Sequence, residues 1–276
     1  EVVALQGQIK KHCLPYSPLI VPYLNELDGA SYEQLFESAI KIILKVYGNE
    51  KEQTIGFKEV WVNEFTPHFQ KLKAGNRIIH LIRDPRSVVA SNFASGSTYP
   101  LLFLVRQWRK IATLAWNYAQ GSSDVKLIRF EDLLSKPEAV ARELCEFLSV
   151  DFHKNMTEPS SYIDGAGKSW RQNTSFRMNS ERDRERAFNC TALDKWKQVL
   201  KDEVLALIDL FCSKEMALLG YEPVSNLAEV GLRFDILYYE DDLSNFAGWI
   251  KPYASYNNYK ELSAELGYRN SDHFYK

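Results

Sequence analysis

The stretch RIIHLIRDPRSVVAS, residues 77–91, decides how the chain is read. Arg77 to Ile82 is a near-continuous apolar run, the pattern of a parallel strand covered on both faces. Arg83 closes it, and Asp84-Pro85 supplies a cap and a first-turn proline for a helix. An arginine at the carboxyl end of a strand, beside a helix N-terminus, is well placed to grip a phosphate with two parallel hydrogen bonds. The same Arg-Asp-Pro-Arg also reads as a salt-bridged structural turn, and both readings stand at this point. His80, inside the apolar run, reads as a packing residue.

Outward from this stretch the pattern repeats. Val125 to Phe130 is a second apolar strand, and Pro137 opens a helix with a stripe of Val140, Leu144, Phe147 and Leu148. A long amphipathic helix is expected over about Asp194 to Leu219, stopped by Gly220. Upstream, Ser31-Tyr32-Glu33-Gln34 fits a capping box opening a helix that Gly48 ends. Thr54 to Lys58 is a short strand candidate, and Thr66-Pro67 resembles a capped helix start. Strands alternating with helices predict an α/β fold, a central and mainly parallel sheet flanked by helices, with ligands at the carboxyl ends of strands. The expected organisation is one α/β domain over residues 1–223 and an extension over 224–276, where the composition turns acidic and aromatic.

With 276 residues, 45% of them hydrophobic, the chain can bury a core unaided. A net charge of −2 excludes a global basic field for nucleic acid or anionic membrane, so an anion site must be local. Cys13, Cys145, Cys190 and Cys212 form no CxxC pair, which argues against a zinc site, and no metal is expected. No apolar run approaches the roughly 20 residues of a membrane span. The chain starts without Met, and Glu1 to Leu5 already reads as a strand, so a longer parent protein is expected. Asn155, Asn173 and Asn189 begin N-x-Ser/Thr sequons that would permit a secretory route. The compartment stays open, with the cytoplasm slightly favoured over the lumen.

One motif points elsewhere. Gly165-Ala166-Gly167-Lys168-Ser169 looks like the end of a nucleotide-binding P-loop, but the first glycine of that pattern would fall at Tyr162. The residues upstream are polar and turn-like where a P-loop springs from a buried strand, and Trp170 to Thr174 is no amphipathic helix. A Gly/Ser surface loop is the plainer reading.

Taken together, "HLIRDPRSVVAS", "LIRFEDLLSKPEAVARELCEFLSV" and "ALDKWKQVLKDEVLALIDLFCSKEMALLGYEP" resemble the sulfotransferases that use 3′-phosphoadenosine 5′-phosphosulfate (PAPS), particularly the carbohydrate and bacterial branches. The resemblance covers roughly residues 54–223 and implies their P-loop-NTPase-like α/β fold. It makes Arg83 and Ser91 the 3′-phosphate ligands. It sets Phe130 on the adenine side, where cytosolic members carry a Tyr. "GAGKSWRQNTSF" would be a late loop in which Lys168 and Arg171 hold the anion and Trp170 walls it, with Arg177 a weaker candidate. In "IGFKEVWV", Lys58 would stabilise the leaving phosphate oxygen and Glu59 would be the general base, although cytosolic members place a His just after the equivalent lysine. The family's Ser/Thr/Gly/Arg-rich loop for the 5′-phosphosulfate has no match, and the resemblance places it before Glu1.

The implied activity is transfer of the sulfonate of PAPS to a hydroxyl or amine of a small-molecule or carbohydrate acceptor, releasing adenosine 3′,5′-bisphosphate. The alternatives are a non-catalytic nucleotide- or partner-binding module on the same scaffold and, third, a P-loop kinase or ATPase. Oligomeric state and acceptor are left open. Residues 8–30, 92–108 and the tail after 223 are the expected acceptor surroundings.

Overall fold

The structure is a computed structural model that describes residues 10, 13–14, 17–48, 54–58, 63–72, 75–94, 99, 101–170, 188, 190 and 193–225. In chain order it has a 3₁₀ helix at Pro18–Glu26, α1 (Tyr32–Tyr47), a 3₁₀ turn at Asn63–Phe65, α2 (Thr66–Leu72), β1 (Ile78–Ile82), α3 (Pro85–Ala94), α4 (Leu101–Gly121) and β2 (Val125–Arg129). Then come α5 (Phe130–Ser135), α6 (Pro137–Leu148), 3₁₀ turns at Lys154–Thr157 and Pro159–Ser161, α7 (Trp196–Val199) and α8 (Asp202–Leu218). The chain divides into two compact units, Glu1–Val62 with Ala141–Ala187 and Asn63–Val140 with Phe188–Lys276. The extension expected over 224–276 lies, beyond Val224 and Ser225, outside the described residues. No described helix is long and apolar enough to cross a membrane.

In the unit formed by Asn63–Val140 and Phe188–Lys276, β1 and β2 pair in parallel, in register from Ile78 opposite Val125 to Ile82 opposite Arg129. Parallel neighbours need a crossover, and α3 and α4 provide it. The core lies between Ile82, Val89 and Ala90 on one side and Leu101, Val105 and Trp108 of α4 with Leu207 and Phe211 of α8 on the other. β1 departs from the expected cover on both faces. His80 and Ile82 are buried, whereas Ile79 and Leu81 stay 37% and 51% exposed. Alternation along a strand sends these pairs to opposite faces, and the helices that bury the sheet pack on the first.

The predicted closing helix is broken in two. Leu200 is extended, and so is Lys201, which stands before α8, whose first turn carries Asp202 and Glu203 where the helix dipole favours acids. The break turns Trp196 and Leu200 into the core. Gly220 stops the second piece with φ of 71°, as a left-handed cap does.

The unit formed by Glu1–Val62 and Ala141–Ala187 contains α1. Ser31 caps it by accepting from the Gln34 amide at 3.3 Å, but the Gln34 side chain reaches back to the Ala30 amide (2.8 Å), one residue before the reciprocal position of a capping box. Thr54 to Lys58, expected as a strand, forms none; Phe57 instead packs edge-on to Phe36, ring centres 5.3 Å apart.

Two buried polar groups give measurable consequences. Arg109 of α4 and Glu215 of α8 pair at 3.2 Å, each 1% exposed. Removing one partner strands a buried charge. Arg109→Ala is therefore expected to cost about 3–5 kcal/mol in denaturant unfolding, while the joint change Arg109→Met with Glu215→Leu recovers most of the loss. His80 lies 3.1 Å from both Thr66 Oγ1 and Asn63 Oδ1 and stacks on Tyr118, and burial lowers its pKa. Below its ordinary value of 6.5 the unfolded chain then binds more protons than the folded one, so this contribution to stability is whole above that pH and declines on acidification. The stability advantage of the parent protein over His80→Gln should shrink as the pH falls from neutral to about 5.

Candidate functional site

The turn from β1 into α3 separates the two arginines of Arg-Asp-Pro-Arg. Arg86 is the structural one. Its Nη2 meets Asp84 Oδ2 at 2.7 Å, its Nη1 donates to the Glu222 carbonyl at 2.9 Å, and its guanidinium carbon lies 4.5 Å from the centre of the Trp196 ring. Asp84 Oδ1 also accepts from the Arg86 amide at 2.8 Å, so one carboxylate both caps α3 and anchors the buried cation.

Arg83 is held differently. Its carbonyl accepts from the Trp108 indole at 2.7 Å. The next amide, that of Asp84, donates to Glu131 Oε1 at 2.9 Å. The Arg83 guanidinium sits over the Phe130 ring at 4.9 Å, half-buried, at the carboxyl end of β1. Burial lowers its pKa, opposed by the charges of Glu131 and Asp84, and an arginine so displaced is still a cation at neutral pH. Fixed backbone on both sides and a ring beneath leave the side chain little freedom, the condition under which a guanidinium captures a planar pair of oxygens at low entropic cost.

Glu131 and Tyr221 complete this arrangement. The Tyr221 hydroxyl donates to Glu131 Oε2 at 2.7 Å, and burial together with the carboxylate raises its pKa strongly, so the phenol keeps its proton. Arg129 lies 4.5 Å over the Tyr221 ring and donates to the Gly220 carbonyl at 3.1 Å, and Trp108 meets the ring edge-on at 6.4 Å. A Cβ at position 220 would sit 3.1 Å from Arg129 Nη1, which adds a steric reason for glycine to the positive φ.

Of the residues expected from sequence, the structure brings Arg83 and Phe130 together. Ser91 is exposed in the second turn of α3. Phe130, which the resemblance sets on the adenine side, faces a cation, so one side of its ring is already engaged. Lys58, Lys168 and Trp170 belong to the other unit, and Glu59, Arg171 and Arg177 lie outside the described residues. Trp108 falls within residues 92–108, expected as acceptor surroundings, and instead holds the Arg83 carbonyl, whereas Glu131 and Tyr221 were not expected as site residues. Their signals were slight: an acid in the first turn after a strand, and a tyrosine directly after a helix-stop glycine.

The GAGKS segment is a tight hairpin turn. Ile163 bridges Ser169, and the Asp164 side chain accepts from the Ala166 and Lys168 amides at 2.9 Å each, while its carbonyl accepts from Gly167. A P-loop offers such amides to phosphate; here a carboxylate of the chain already fills the nest. Lys168 is exposed, and Trp170 packs edge-on against Tyr162.

No curated protein and no solved structure shows a significant match to the chain. The model of the sulfotransferase family matches residues 63–154, a narrower span than the resemblance over 54–223. This span runs from the turn before α2 through β1, the Arg83 turn, β2 and α6, and so contains Arg83, Ser91, Phe130, Trp108 and Glu131. Residues 63–154, less than half of the chain, are thus similar to the sulfotransferase family, and they carry Arg83, Phe130 and Glu131.

Proposed function

We propose that the chain serves sulfonate transfer from PAPS to a hydroxyl or amine acceptor, with Arg83 as the anchor of the donor's 3′-phosphate. One observation carries this reading: a half-buried guanidinium, held over Phe130 with its peptide fixed by Trp108 and Glu131, stands at the carboxyl end of a parallel strand inside the family segment. Ligands of open α/β sheets collect at that edge. Ser91 is the second proposed 3′-phosphate ligand, and its exposed hydroxyl suits an anion.

In the proposed reaction an acceptor oxygen or nitrogen attacks sulfur in line. The bond from sulfur to the bridging oxygen breaks, adenosine 3′,5′-bisphosphate leaves with the electron pair, and the acceptor loses its proton to a base. Lys58 as the cation on the leaving oxygen, Glu59 as the base, and Lys168, Trp170 and Arg171 as the closing loop are proposals that rest on the resemblance. The carbohydrate or bacterial branch rests on it too. The kinase reading is disfavoured by the geometry of the GAGKS turn, whose amides already bind Asp164.

Calorimetric titration of the full chain with adenosine 3′,5′-bisphosphate tests the assignment. Arg83→Ala is expected to weaken binding by about 10- to 100-fold, the range for hydrogen bonds to a charged group, and 5′-AMP, lacking the 3′-phosphate, should bind the parent protein as weakly as the bisphosphate binds the variant. Equal binding of bisphosphate by parent and variant would remove Arg83 from the site.

A further inference from the structure

The 3′-phosphate assignment creates an electrostatic problem that the structure also addresses. Glu131 is an acid close enough to Arg83 to raise its pKa, and a carboxylate there competes with a phosphate for the same guanidinium. Both of its oxygens are engaged, Oε1 by the Asp84 amide at 2.9 Å and Oε2 by the Tyr221 hydroxyl at 2.7 Å. Tyr221 cannot easily turn away, because Gly220 is held by Arg129 behind it and the ring lies between Arg129 and Trp108.

We propose that Tyr221 is a positioning residue for anion capture: its hydroxyl holds the Glu131 carboxylate on the Asp84 amide side and so keeps it from competing with a phosphate for Arg83. The inference rests on the 3′-phosphate reading of Arg83. It gives the residues just after α8, remote in sequence from the Arg83 turn, a part in donor affinity that the match over residues 63–154 does not reach. The physical argument is one of donors. A partly buried carboxylate stripped of one donor recruits another, and the nearby cation of the Arg83 turn is the partner with most to offer. In Tyr221→Phe, Glu131 therefore swings toward Arg83 and phosphate must displace it.

The test is a double-mutant cycle on the full chain, read by titration with adenosine 3′,5′-bisphosphate and with 5′-AMP and accompanied by thermal unfolding of each variant. Tyr221→Phe should lose about tenfold in affinity for the bisphosphate, the scale of one hydrogen bond to a charged group, with the affinity for 5′-AMP unchanged. Glu131→Gln should bind the bisphosphate about threefold more tightly than the parent, because a like charge has gone. Adding Glu131→Gln to Tyr221→Phe should restore binding, since a neutral amide does not compete. A purely structural Tyr221 would weaken both ligands alike and would show no such rescue.

Three results overturn the inference while leaving the 3′-phosphate site intact: Tyr221→Phe binding the bisphosphate as the parent does, a double variant no better than Tyr221→Phe, or a Glu131→Gln variant that binds less tightly than the parent. The last of these decides the matter even if Tyr221→Phe does not fold. Absence of bisphosphate binding by the parent protein overturns both the inference and the proposed function.

Discussion

The buried contact between Asp84 and Arg86 fixes most of what surrounds it. Asp84 starts α3, and Arg86 carries that turn to the chain after α8 through the Glu222 carbonyl and to α7 through the Trp196 ring. Asp209 of α8 lies 3.8 Å from the same guanidinium, and its other oxygen accepts from the amides of Val224 and Ser225. A charge pair with side chains 5% and 9% exposed is costly to bury and tolerable only when nearly every donor is answered. Those answers come from four separated stretches of sequence, and the requirement to supply them brings these stretches together.

That division of labour leaves Arg83 for other work. Two arginines three residues apart are chemically the same, but one turns inward to Asp84 and the other lies half-buried over an aromatic ring. The salt-bridged-turn reading of Arg-Asp-Pro-Arg therefore holds for Arg86, and the anion-site reading is the one proposed for Arg83. Around Arg83 the constraint falls on the backbone: the Trp108 indole takes the carbonyl before the turn and Glu131 the amide after it. Preorganisation of this kind lowers the entropy lost when a charged ligand is captured.

The GAGKS segment shows the opposite outcome. Its composition resembles a phosphate cradle, yet Asp164, one residue before the motif, closes the turn on itself. A short acceptor beside a run of small residues folds the amides around its own carboxylate, as Asx turns do. The motif's letters say nothing of that competition unless the preceding residue is counted.

The sequence by itself determined the parallel strand pair, the cap and proline that begin α3, the stops at Gly48 and Gly220, and the arginine at the strand's end. Each of these follows from local chemistry: apolar runs, a carboxylate within reach of the next amides and, at Gly220, a residue without a Cβ where φ is positive. What only the tertiary structure decided depends on residues far apart in the chain. The break between α7 and α8 exists because Trp196 and Leu200 are buried, Thr54 to Lys58 is no strand because no ladder partner stands beside it among the described residues, and Ile79 and Leu81 are exposed because the helices cover the other face. The pairing of Glu131 with Tyr221 across 90 positions is of the same kind, since neither residue carries any local mark of the other.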